Sequence, residues 1–152
     1  MNQESINQEI IQRASKVINS KKDYIGDGME GYVVLSLINE EGYPTSSTMT
    51  ISKADGINWL TFISDVDGTK ARRIAKSNKA CVCLASSEYN ITLVGTAEII
   101  TDLAIKKAHW QSIFAEAYNA GPDDPEFAIL RFTTEHYNLF FASDDTEAKG
   151  VL

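Results

Sequence analysis

The chain has 152 residues, of which 43% are hydrophobic, so it can build the core of one globular domain covering residues 1–152. Lys and Arg total 14 against 21 Asp and Glu, and the net charge of −7 argues against general binding to nucleic acid or to membrane surfaces. No apolar run approaches the roughly 20 residues that span a bilayer and no signal peptide is recognisable, so we expect a cytoplasmic protein.

The hydrophobic pattern predicts an α+β fold whose first element is an amphipathic helix. Its apolar residues recur at helical spacing from Ile6 onwards, and it ends near Ser20. Runs of β-branched and aromatic residues between turn residues predict strands at 31–38, 44–52, 57–64, 80–86, 91–100, 127–132 and 136–142. Tight turns at 39–42 and 53–56 join the first three strands, so we expect an antiparallel meander and a sheet that curls into a barrel.

Two further helices are predicted. The first covers residues 68–77 and follows a loop of Ser, Asp and Gly, in which Asp65 or Asp67 is placed to cap the amino end of the helix. The second is longer: it is capped at 101–102 and is expected to run to about Tyr118, where a Gly and Pro-rich segment ends it.

Neither the cysteines nor the acidic residues predict a metal site. Cys81 and Cys83 lie two apart on one strand, so they face the same side, cannot easily form a bridge and are expected to be buried free thiols. With two His in the chain and no Cys-x-x-Cys motif, a zinc site lacks ligands. The segment 65–68, Asp-Val-Asp-Gly, is not a calcium loop, because Lys70 and Lys76 stand where an EF-hand needs Gly and Glu.

The basic residues are concentrated in one place. Residues 68–87 contain no Asp or Glu but include Lys70, Arg72, Arg73, Lys76 and Lys79. The amino end of a helix has unpaired N–H groups and a partial positive charge, which suit a phosphate. Ser64 and Thr69 would add hydroxyl donors and Lys70 an ammonium. The alternative is an ordinary solvated helix face, and the two Arg residues are expected to do no more than form one.

Four segments, in this order, carry a family resemblance: GYPTSSTMT, LTFISDVDGTKARRIAKSNKACVCLA, YNITLVGTAEI and HWQSIFAEAYNAGPDDPEFAILRF. They combine a strand ending in Ser or Thr, a helix that opens on Lys, and a Trp followed by Gly-Pro-Asp-Asp-Pro. This pattern resembles the FMN-binding split barrels of the pyridoxamine 5′-phosphate oxidase-like family, and specifically their general stress protein 26 branch. The resemblance extends from the first helix to about Phe141.

The resemblance implies an antiparallel six-stranded Greek-key split β-barrel with flanking helices, and a homodimer with FMN in two clefts at the subunit interface. The residues implied in FMN binding are Ser47, Thr48, Met49, Thr50, Ile63, Ser64, Thr69, Lys70 and Trp110. Of these, Ser64, Thr69 and Lys70 would hold the phosphate, and the second strand would line the flavin ring. Trp110 would approach the cofactor or form part of the dimer wall, although a Trp on an amphipathic helix is more often a core residue.

Two departures from the family pattern bear on function. The family often has Arg-Pro-Met where this chain has Ser47, Thr48 and Met49, so a cation that contacts the cofactor is missing. The carboxy-terminal Arg and His segment with which pyridoxamine phosphate oxidases hold their substrate is also missing, so we do not expect that oxidation.

The leading functional hypothesis is an FMN-binding oxidoreductase acting on a small substrate that the sequence does not identify. A flavin-binding or flavin-sensing stress protein without turnover is the alternative. A nucleic-acid or other anion-binding module is a third hypothesis, which the acidic net charge and the lack of aromatic residues among the basic ones disfavour.

Overall fold

The computed structural model describes residues 2–22 and 29–152. Its helices are α1 (Gln3–Lys21), α2 (Thr69–Lys76) and α3 (Leu103–His109), with 3₁₀ turns at Met29–Gly31, Ser112–Glu116 and Gly121–Asp123. Its strands are β1 (Tyr32–Ile38), β2 (Pro44–Thr50), β3 (Lys53–Asp55), β4 (Trp59–Asp65), β5 (Lys79–Ala85), β6 (Tyr89–Ile100), β7 (Phe127–Phe141) and β8 (Thr146–Val151). Within these two ranges, no helix combines the length and the apolar character needed to cross a membrane.

The eight strands of the described residues form one curled antiparallel sheet, a half-barrel, in the order β2-β1-β5-β6-β7-β4-β3 with β8 also paired to β7. The α+β class and the antiparallel split-barrel architecture with flanking helices are therefore confirmed, with eight strands instead of six or seven. The predicted meander is wrong beyond its first hairpin. β1 pairs with β2, but β4 pairs with β3 and β7 near the other end of the sheet, where its residues Leu60 and Phe62 are completely buried.

The main core lies between α1 and one face of the sheet. Ile10, Ala14 and Ile18 recur every four residues along the helix and are almost completely buried. On the sheet side, Phe62 and Phe132 have no exposed surface. Burial of each large apolar side chain contributes about 1.5–3 kcal/mol, so this contact accounts for the position of α1.

A second, smaller core lies on the opposite face of β7. Side chains alternate along a strand, so Phe127 and Ile129 point away from Leu130 and Phe132 of the main core. The chain between β6 and β7 packs against this face; the members of the cluster are Ile63, Ile100, Trp110, Phe114, Tyr118, Phe127 and Ile129. These contacts hold the 101–126 segment against the sheet.

Three strand predictions are corrected by the structure. β7 is continuous where two strands, 127–132 and 136–142, were expected, because a β-bulge at Val94 and Gly95 keeps both halves paired with β6. The expected turn at 53–56 contains the short strand β3, which pairs with β4. The sequence does not predict β8, because its apolar residues Ala148 and Val151 are three positions apart and so do not show the alternation of a strand.

α3 ends at His109, so the prediction of one helix running to about Tyr118 is wrong. Asp102 caps the helix, as the sequence indicates, by accepting a hydrogen bond from a first-turn N–H at 3.0 Å. Trp110 leaves the helical conformation at φ −66° and ψ 137°. Its ring then packs edge-on against Phe127 with 5.2 Å between the centroids, and this burial favours the break over a longer helix.

Cys81 and Cys83 are free, as predicted, but they are only half-buried. β5 directs Ala80, Val82 and Leu84 into the main core, so the two cysteines lie on the other face of the strand. The expectation of buried thiols is therefore wrong.

The backbone of β7 passes very close to Gly95 of β6. A Cβ atom at residue 95 would lie 1.9 Å from the carbonyl oxygen of Thr133, which is backbone and cannot rotate away. Gly95→Ala is therefore expected to lower the free energy of unfolding by about 2–3 kcal/mol, measured by urea denaturation. The control is Val94→Ala at a neighbouring exposed position, where a change of about 0.5 kcal/mol is expected. Equal losses in both variants would contradict the close contact.

Candidate functional site

A cleft of about 320 Å³ opens where β4 ends and α2 begins. Its lining residues are Met49, Ile63, Ser64, Asp65, Gly68, Thr69, Lys70 and Tyr118. Five of the nine residues that the sequence analysis implicates in cofactor binding meet here: Met49, Ile63, Ser64, Thr69 and Lys70. The structure thus brings the predicted phosphate contacts together with one residue of β2.

The pairing of β4 with β7 fixes the position of this cleft. Ser64 pairs with Ala128 and Asp65 with Phe127, so both cleft residues lie at the last rungs of the ladder. The chain then leaves the sheet, and Gly68 becomes the N-cap of α2. The amino end of α2 is thereby directed into the same cleft as the end of β4.

Neither Asp65 nor Asp67 caps α2, which corrects the sequence prediction. Gly68 is the N-cap and provides no side-chain hydrogen bond. Asp65 instead accepts a hydrogen bond from Tyr118, and Asp67 lies 3.8 Å from the exposed guanidinium of Arg72. The N–H groups of the first turn of α2 therefore have no side-chain acceptor among the residues that the structure describes.

The polar groups at the amino end of α2 are available donors. Among the described residues, no hydrogen bond or ion pair involves the ammonium of Lys70 or the hydroxyl of Thr69. The hydroxyl of Ser64 donates only to the adjacent backbone carbonyl, at 3.2 Å. Free N–H groups, a hydroxyl and an ammonium around one cleft suit a small oxyanion such as a phosphate.

Asp65 and Tyr118 join two walls of the cleft. The Tyr118 hydroxyl donates to Asp65 Oδ1 at 2.6 Å, and its ring packs on Phe127 with 5.1 Å between the centroids. Burial, together with the hydrogen bond and charge of Asp65, raises the pKa of Tyr118 above its ordinary value of 10.0, so the hydroxyl stays a donor at neutral pH. The sequence analysis does not place Tyr118 in the cleft, and no local signal could, because 53 residues separate it from Asp65.

A second cleft, of about 390 Å³, lies on the other side of Asp65. It is lined by Asp65, Val66, Asp67, Pro125 and Glu126. The three carboxylates of this second cleft repel an anion. They do not form a metal site either, since within residues 2–22 and 29–152 no group of three or more His, Cys, Asp or Glu is arranged to hold a metal ion. Anion binding is therefore favoured on the Lys70 side, and Asp65 forms the boundary.

Comparison with known families assigns the chain to one of them. The family model described as pyridoxamine 5′-phosphate oxidase like matches residues 20–150. The chain belongs to the pyridoxamine 5′-phosphate oxidase-like family. No curated protein matches the chain significantly. The resemblance that the sequence motifs indicated is thereby confirmed at the level of the family.

Similar solved structures include a Clostridium acetobutylicum protein related to general stress protein 26 of Bacillus subtilis. It is 24% identical with a TM-score of 0.77, over 95% of this chain and 96% of that one. A general stress family protein of Xanthomonas campestris is 21% identical with a TM-score of 0.71, over 95% and 94%. General stress protein 26 of Bacillus anthracis is 19% identical with a TM-score of 0.64, over 94% and 98%. At these identities the similarity shows that the fold is shared.

In this member of the pyridoxamine 5′-phosphate oxidase-like family, part of the positive charge on α2 serves the fold. Arg73 donates to the Thr45 hydroxyl at 3.0 Å and lies 3.6 Å from the Glu40 carboxylate. Lys76 donates to the Glu40 carbonyl at 2.6 Å. The expectation that Arg73 only covers a solvated face is therefore wrong, since it ties the β1–β2 hairpin to α2. Lys70, by contrast, lines the cleft and forms no hydrogen bond or ion pair with any residue in 2–22 or 29–152.

The remaining residues that the family resemblance implicates lie outside the cleft. Ser47, Thr48 and Thr50 are exposed on β2, which in the described part of the chain pairs only with β1. Trp110 is half-buried against Phe127 in the smaller core, as expected for a core Trp. Contact of these four residues with a cofactor stays a prediction.

Proposed function

We propose that this chain binds FMN through the cleft at the start of α2 and acts as an FMN-dependent oxidoreductase. The observation that carries the proposal is the convergence of Ser64, Thr69, Lys70 and the first-turn N–H groups on one cleft, in a chain of this family. Bound FMN would supply the electron chemistry, while the chain supplies position and electrostatics.

The donor set fits the phosphate of such a ligand. A hydrogen bond to a charged group contributes about 1.5–3 kcal/mol, so four of them match the about 8 kcal/mol of micromolar affinity. Gly68, at the N-cap, has no side chain to cover the N–H groups behind it. The family's Arg is replaced by Ser47, so Lys70 is the cation on which phosphate binding depends.

The cleft is too small to enclose a whole FMN molecule, so we include a second copy of the chain in the proposal. About 320 Å³ is at the lower end of the roughly 300–1,000 Å³ of ligand pockets, enough for a phosphate and its neighbouring chain. The flavin ring would extend along the exposed β2 strand, whose outer edge has no partner strand among the described residues. In the proposed homodimer, the second subunit closes the ring site over this edge. A cytoplasmic location stays a prediction.

Replacing Lys70 tests the phosphate assignment. Lys70→Ala removes the free ammonium in the cleft and is expected to raise the Kd for FMN about 10- to 100-fold, measured by quenching of flavin fluorescence. Arg72→Ala is the matched control, because it removes the same charge from an exposed side chain and is expected to change Kd less than about twofold. Equal affinities of the two variants would refute the phosphate assignment.

Reduction by a nicotinamide donor separates an enzyme from a flavin-binding protein without turnover. With FMN bound and oxygen excluded, NADH or NADPH is expected to bleach the visible absorption of the flavin by hydride transfer. Dithionite serves as the control that the bound flavin can be reduced. A flavin that dithionite bleaches and both nicotinamides leave oxidised would contradict the oxidoreductase proposal and favour the binding or sensing alternative.

A further inference from the structure

We propose that Asp65, held in place by Tyr118, determines ligand specificity in this cleft by selecting phosphates that carry hydroxyl groups next to the phosphate. The inference rests on the proposed function and deepens it. Lys70 and the amino end of α2 would recognise the anion, while Asp65 would recognise the polyol beside it.

The first support is the position of the Asp65 carboxylate. Asp65 lines the cleft together with Lys70, yet the two side chains form no ion pair. Its Oδ2 atom lies 3.6 Å from where a Cβ of residue 68 would be, so it is directed towards the amino end of α2. Both the ammonium and this carboxylate oxygen are therefore available to the same ligand.

The second support is the bonding of the two carboxylate oxygens. Oδ1 accepts the Tyr118 hydroxyl at 2.6 Å. Oδ2 has no hydrogen-bond or ion-pair partner in the part of the chain that the structure describes. Asp65 is exposed, so water solvates Oδ2 in the free protein. Because an ionised carboxylate only accepts hydrogen bonds, a bound ligand must supply donors to replace that water, and the carboxylate repels further negative charge.

These two properties define the class of ligand. The dianion of an aryl phosphate offers Asp65 no donor and suffers its repulsion. A phosphorylated polyol, such as the ribityl phosphate end of FMN, offers hydroxyl donors within a few bonds of the anion. The carboxylate, which costs affinity for the first class, thus contributes affinity for the second.

Tyr118 is a positioning residue for Asp65. It is 6% exposed and its ring packs on Phe127, so its hydroxyl is held in one place by the smaller core. A carboxylate that is already fixed loses less conformational entropy on binding and distinguishes ligands more sharply. The hydrogen bond therefore couples the 101–126 segment to ligand choice.

The test compares ribitol 5-phosphate with phenyl phosphate, by calorimetric titration of the full chain. The wild type is expected to prefer ribitol 5-phosphate. Asp65→Asn keeps the shape and an oxygen that can accept from Tyr118, but removes the charge. It is expected to weaken ribitol 5-phosphate binding about tenfold and to strengthen phenyl phosphate binding about threefold. An unchanged preference between the two ligands, or no binding of ribitol 5-phosphate to the wild type, would overturn the inference.

Two further variants distinguish the possible failures. Tyr118→Phe keeps the packed ring. It is expected to reduce the preference for ribitol 5-phosphate over phenyl phosphate severalfold in the wild-type background, but not in the Asp65→Asn background. If Tyr118 had only a structural role, Tyr118→Phe would weaken the binding of both ligands in both backgrounds. That result would overturn its positioning role. If Lys70→Ala weakens both ligands while Asp65→Asn leaves the preference unchanged, only this inference fails. If Lys70→Ala binds both ligands as the wild type does, the proposed function fails.

Discussion

The antiparallel pairing of β4 with β7 is the constraint on which the site depends. It places Ser64 and Asp65 at the end of the sheet, opposite Ala128 and Phe127, and so determines where the chain turns into α2. β7, the second strand of this pair, carries Phe127, on which the Tyr118 ring packs. The pairing of β4 with β7 therefore positions both the donors of the cleft and Tyr118, which holds the Asp65 carboxylate.

The charges around α2 are divided between folding and binding. Arg73 and Lys76 bond to the β1–β2 hairpin, whereas Lys70 has no partner among the described residues. Asp65 lines both the cleft that contains Lys70 and a second cleft, whose three carboxylates would repel an anion. The local excess of positive charge in an acidic chain thus has two physical explanations, and only Lys70 among these three residues lies in the cleft.

Local features of the sequence were sufficient for α1, the β1–β2 hairpin and the start of α2, because spacing and turn residues act over a few positions. The partners of β4 could not be read in this way, since β7 lies about 60 residues further along and loop closure leaves no local signal. The break at Trp110 depends on Phe127, and the position of Tyr118 depends on Asp65. The N-cap is Gly68, and Asp65 instead accepts a hydrogen bond from Tyr118, a partner that the local sequence does not reveal.

Four of the five cleft residues common to prediction and structure lie at the strand-to-helix junction, and the fifth, Met49, lies on β2. Ser47, Thr48, Thr50 and Trp110 rest on the family resemblance, and their proposed roles involve a second subunit. The proposed phosphate site, however, needs only the cleft of a single chain. Comparing the affinities of FMN and riboflavin for the wild-type protein tests this site, because the two ligands differ only in the phosphate. FMN is expected to bind at least about 100-fold more tightly than riboflavin, and equal affinities would show that the cleft does not hold the phosphate.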